Sequence, residues 1–86
     1  MEREFCVITF DSTHQALDFE RLSKEYGLKT RSIPVPRQIS SSCGIAAKFN
    51  EELIKDVRQL CLDYQIEFAN IYRIYRDSSK KPVKIL

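Results

Sequence analysis

The sequence predicts an α+β fold, from three observations. Four β-prone runs and two amphipathic helical segments alternate in the order β-α-β-β-α-β. Each helical segment opens on its own start signal, and the first is closed by a glycine. The chain is 86 residues long, enough for one compact domain and no more.

Glu4 to Phe10 is a nearly continuous apolar, β-rich run suited to a central strand. Asp11-Ser12-Thr13-His14-Gln15 then opens a helix, and Ser12 with Gln15 three positions later has the spacing of a capping box. Ala16, Phe19, Leu22 and Tyr26 recur at helical spacing, and Gly27 supplies the stop. Lys29 to Ile33 reads as a second strand with a mostly polar face, an edge strand ended by Pro34 and Pro36. Ile45 to Phe49 is a short third strand. Asn50 caps a second helix, with Glu51 and Glu52 in its first turn and Leu53, Ile54, Val57, Leu60, Cys61 and Tyr64 as its apolar stripe. Ile66 to Tyr75 reads as a fourth strand rich in aromatic and β-branched residues. Residues 1–76 therefore form the expected domain, and 77–86 a basic, loosely held tail. The element order is that of the ferredoxin-like split βαβ sandwich: a four-stranded antiparallel sheet, spatial order 4-1-3-2, with two helices on one face. If the other face carries the Tyr and Phe residues of the fourth strand, a homodimer through it is expected.

Composition narrows the function classes. Hydrophobic residues make up 43% and charged residues 30% of the chain, with a net charge of +2, ordinary values for a globular protein. Outside the tail there is no basic stripe, and the strands lack an aromatic pattern for stacking bases, so no nucleic-acid partner is expected. No apolar run reaches membrane-spanning length, and the start is not that of a signal peptide; a cytoplasmic protein without a membrane partner is expected. Three cysteines, Cys6, Cys43 and Cys61, without a CxxC or a Cys/His cluster argue against a disulfide scaffold, a metal site or a stand-alone thiol oxidoreductase. No cofactor is expected.

Cys6 lies in an apolar strand run and Cys61 in a helix stripe, so both read as small buried hydrophobes. Cys43 is different. It ends the run Pro34-Val35-Pro36-Arg37-Gln38-Ile39-Ser40-Ser41-Ser42-Cys43-Gly44. Two prolines stiffen the start of this run, a glycine relaxes its end, and an arginine and three hydroxyls stand between. The expected topology brings Cys43, at the head of the third strand, beside the start of the first helix at Ser12 and Thr13. Helix N-termini carry unpaired N–H groups and a partial positive charge, which favour an anion and lower a thiol pKa. Arg37 would add positive charge, and Ser40, Ser41 and Ser42 would add hydroxyl donors. Asp11 would pull the other way if turned inward. For each of these residues a plainer role competes: a small strand-start residue, a solvated arginine, turn-forming serines, helix caps. His14, the one histidine, reads as a surface residue of the first turn.

The stretches Ile8-Thr9-Phe10-Asp11-Ser12-Thr13 and Ile33 to Gly44, with Pro-x-Pro-Arg followed by Ile-Ser-x-Ser-Cys-Gly, resemble the selenium/sulfur carrier protein-like domains. The similarity covers roughly residues 4 to 75. It implies a carrier in which Cys43 holds sulfur or selenium as a persulfide- or selenide-type adduct. The partners so implied are a donor protein and an acceptor protein with a thiol. By position, Arg37, Ser40, Ser42 and Gly44 carry over as motif residues, with Ser12 and Thr13 behind them. Such a carrier is not expected to be an enzyme on its own. The alternative is a non-enzymatic regulatory or small-ligand-binding module with Cys43 in an anion-binding loop.

Overall fold

The computed structural model describes residues 4–39, 44–77 and 79–85. Its elements are β1 (Glu4–Thr9), α1 (Thr13–Glu25), β2 (Thr30–Pro34), β3 (Ile45–Phe49), a 3-10 turn (Glu51–Leu53) that runs into α2 (Ile54–Asp63), β4 (Asn70–Tyr75) and β5 (Val83–Lys84). The sheet is antiparallel throughout, with the order β2-β3-β1-β4-β5. The first four strands keep the expected spatial order. The sheet has five strands rather than four, because part of the expected tail pairs with β4.

Alternation along the strands sorts the core into two layers. Cys6 and Ile8 of β1, Ala47 and Phe49 of β3 and Ile71 of β4 face the helices. There they meet Ala16, Phe19 and Leu22 of α1 and Val57, Leu60 and Cys61 of α2. Phe10 packs against Phe19 with ring centroids 5.4 Å apart. Burial of this kind is worth roughly 1.5–3 kcal/mol per large side chain. Val7, Ala46 and Ile74 face the opposite side, and that side is partly covered as well. Ile39, from the loop after β2, is buried on it, with Phe5, Ile33, Val35 and Tyr72 half-buried around it. Of the β4 aromatics only Tyr72 belongs to this second cluster, so the apolar face expected to drive a dimer is smaller than its sequence suggests.

The helix ends follow from local chemistry, with two departures from the sequence reading. At the start of α1, Ser12 Oγ accepts from the Gln15 N–H at 3.3 Å, one half of the capping box. The Gln15 side chain does not complete it; its Oε1 accepts from the Glu67 N–H at 3.3 Å and ties α1 to the segment before β4. At the other end, the Leu28 N–H donates to the Ser23 carbonyl and the Gly27 N–H to the Lys24 carbonyl, at 2.8 and 3.2 Å. This is a Schellman motif, with Gly27 at φ 72°. The motif recurs after α2, where the Ile66 N–H donates to the Cys61 carbonyl and the Gln65 N–H to the Leu62 carbonyl. There the left-handed position holds Gln65, at φ 54°. Asn50 precedes the 3-10 turn rather than an α-helix and makes no side-chain cap. Glu51 of that turn instead pairs with Arg73 of β4.

Edge strand β2 is fastened to α1 by polar contacts. Thr30 Oγ1 donates to Ser23 Oγ at 2.9 Å, and Ser23 Oγ donates to the Glu20 carbonyl at 3.0 Å. Ser23 is fully buried, and these two bonds satisfy it. β4 begins at Asn70 rather than at Ile66, since Ile66 and Phe68 turn into the helix-side core before the strand pairs. No helix among the described residues is long and apolar enough to cross a membrane.

Candidate functional site

The register of β1 on β3 fixes what lies at one end of the sheet. Thr9 is opposite Ala46. Gly44 stands two residues before Ala46, and the α1 cap Ser12 stands three residues after Thr9. The head of β3 and the N-terminus of α1 therefore leave the sheet at the same end, as the topology argument requires. Ser40, Ser41, Ser42 and Cys43 lie outside the described residues; Arg37, Gly44, Ser12 and Thr13 lie within them.

The described flanks of the loop are anchored. The Val35 N–H donates to the Gly44 carbonyl at 3.2 Å, which carries the β2–β3 pairing one step past Pro34 and Ile45. Within the loop the Ile39 N–H donates to the Pro36 carbonyl at 3.0 Å, closing a tight turn over Pro36–Ile39. Ile39 is 7% exposed. Its side chain pins the turn to Val7, Ala46 and Ile74. Sequence reasoning passed over Ile39, although a single aliphatic residue between Gln38 and Ser40 is the signal of an anchor in a polar run.

Arg37 sits in that turn, exposed, and forms no ion pair among the described residues. Its guanidinium is thus committed to no described carboxylate. Ser12 spends its hydroxyl oxygen on the Gln15 N–H, so it supports the helix start first. Thr13 is the first residue of α1 and is exposed. The first turn of α1 contains no acidic residue, which leaves the positive end of the helix dipole uncompensated from within that turn. His14 points along the helix surface, with Nε2 3.3 Å from Asp18 Oδ2. Gly44 does not have a left-handed φ, so the backbone freedom expected of it is not used. A Cβ placed on Gly44 would meet no described atom within 4 Å.

The other two thiols are withdrawn from chemistry. Cys6 is fully buried, and burial above all, with the nearby carboxylate of Glu51 adding to it, pushes its pKa up to about 11. Cys61 is buried in α2, and burial pushes its pKa up to about 11. At neutral pH a thiol of that pKa is ionised in roughly one molecule in ten thousand. Among the described residues no group of His, Cys, Asp and Glu has the makings of a metal site.

Comparison with known families now bears on this geometry. Residues 5–73 match the family model described as "Putative Se/S carrier protein-like". The chain belongs to that family. The matched stretch runs from β1 into β4 and includes the whole Cys43 loop; β5 lies beyond it. No curated protein and no solved structure matches the chain.

Proposed function

We propose that the protein is a sulfur or selenium carrier on a ferredoxin-like scaffold, and that Cys43 is the residue that carries the cargo. The supporting observation is one of exclusion. Of three cysteines, Cys6 and Cys61 are sealed in the core with their thiolates suppressed, so thiol chemistry at neutral pH falls to Cys43, inside the family-matched stretch.

The transfer needs no net redox change. The Cys43 thiolate attacks the outer sulfur of a donor persulfide, or the outer selenium of a donor perselenide; the donor S–S or S–Se bond breaks, and the donor leaves as a thiolate. Cys43 then bears a persulfide anion, or with selenium the corresponding S–Se⁻ adduct. A thiolate of the acceptor protein attacks the outer atom, takes it, and releases the Cys43 thiolate. Both adducts are anions. Arg37, the hydroxyls of Ser40, Ser41 and Ser42, and the N-terminal turn of α1 at Ser12 and Thr13 stabilise them by charge and by hydrogen bonds. The chain carries cargo between partners and is not itself a complete catalyst.

Incubation with a cysteine desulfurase and either cysteine or selenocysteine, which load the donor as a persulfide or a perselenide, followed by mass spectrometry of the intact protein tests this reading. One sulfur or selenium atom should be gained, mapped to Cys43 and absent in Cys43→Ser. An adduct of equal yield in Cys43→Ser rules out the assignment.

A further inference from the structure

The outer edge of β4 is closed by a segment that lies beyond the family-matched region. β5 is two residues long and covers Tyr72 and Arg73. Ile85 extends the contact: its N–H donates to the Ile71 carbonyl at 2.7 Å, and its side chain packs on the helix-side core. The connection is braced where it leaves β4. The Asp77 carboxylate accepts from the N–H and the hydroxyl of Ser79, at 3.0 and 2.7 Å. Lys80 Nζ stands 5.2 Å from the centre of the Tyr75 ring. A segment read as a loose basic tail is thus docked along one strand.

The two edges of the sheet are guarded differently. β2 exposes Arg31 and ends in Pro34, which offers no N–H to a new ladder. β4 reads Asn-Ile-Tyr-Arg-Ile-Tyr and has no proline. Its one charge, Arg73, is neutralised within the chain by Glu51. A β-prone edge without a proline or an uncompensated charge is a template for another strand. Two such edges are self-complementary about a two-fold axis, because an antiparallel pair of identical strands satisfies both copies in the same way. Neutralisation of Arg73 removes the like-charge repulsion that would otherwise oppose that pairing.

We infer that residues 83–85 are an edge cap acting within the chain, and that the strand they exclude is β4 of a second copy. The cap keeps the protein monomeric and leaves the loop end of the sheet free; its release creates a dimer through a continuous sheet. This inference stands apart from the chemistry of Cys43.

The test removes both proline-sensitive donors of the cap in the full chain, Val83→Pro with Ile85→Pro. Wild type and variant are compared by size-exclusion chromatography with light scattering from 10 to 500 µM, in concentrations of the order used to detect weak dimers. Hydrogen exchange is followed at the outward amides of Ile71 and Arg73. Wild type should hold the monomer mass of 10.1 kDa across the range. The variant should move toward twice that mass, with Ile71 and Arg73 protected in the dimer. A monomeric variant overturns the inference, as does a variant dimer that leaves those amides exchanging freely, or a wild type that already pairs through β4. Should circular dichroism show the double variant unfolded, Val83→Pro alone takes its place with the same readouts, since Val83 is 43% exposed and contributes little packing.

Discussion

At the scale of single residues, the fold withdraws two of the three cysteine thiols from solvent. Cys6 and Cys61 are held neutral by burial, with pKa values pushed up to about 11. This has a consequence for stability. A group whose folded pKa is raised binds its proton longer in the native state than in the unfolded chain, so its contribution is intact below pH 9 and is lost as pH rises toward 11. The loss reaches up to about 3 kcal/mol per thiol. Urea titrations between pH 8 and pH 11 should therefore show a steep fall in stability for the wild type, and a shallower fall for Cys61→Ala; parallel slopes would contradict the burial argument. The two glycines make a contrast. Gly27→Ala should cost about 1–2 kcal/mol, since it forces an L side chain into the left-handed region. Gly44→Ala should stay within about 0.5 kcal/mol of wild type, since neither its φ nor any described neighbour opposes it. The cysteine assignments were legible in the sequence, because an apolar strand and a helix stripe bury what they contain. The conformation of Gly44 was not, because glycine permits many conformations and announces none.

Secondary-structure elements were readable wherever the signal was local. Ser12 and Gly27 mark the ends of α1, and the period of Ala16, Phe19 and Leu22 marks its buried face. The end of α2 carried no such mark, since Gln65 is not a residue that favours the left-handed region; tertiary packing of Ile66 holds it there. Gln65→Gly should accordingly raise stability by about 1 kcal/mol, as measured by the midpoint of urea unfolding with an unchanged slope. A loss of stability would mean that the Gln65 side chain makes a contribution larger than the strain. The turn over Pro36–Ile39 depends on one anchor. Ile39→Ala should destabilise the fold by about 2 kcal/mol and expose the Arg37–Gln38 bond to trypsin. Resistance to trypsin equal to that of wild type would show that the turn is held by something other than Ile39.

Across the whole molecule, the strand order follows from β-α-β-β-α-β connectivity, and the sequence periods were enough to place β1 to β4 side by side. β5 escaped them: two residues after Pro82 have no period to read, and only pairing with Tyr72 and Arg73 makes them a strand. The covered second face escaped them too, because its cover is a single residue from a loop. The site is a product of this scale. The register of β1 and β3 puts Gly44 and the N-terminus of α1 at one end of the sheet, while the core absorbs Cys6 and Cys61. The most direct test is the pH dependence of alkylation at Cys43 in the native protein, followed by peptide mass spectrometry. A midpoint clearly below the ordinary thiol value of about 8.5, at Cys43 alone, is the predicted result. A midpoint at or above that value, or equal labelling of Cys6 and Cys61, would contradict a carrier thiol at this position.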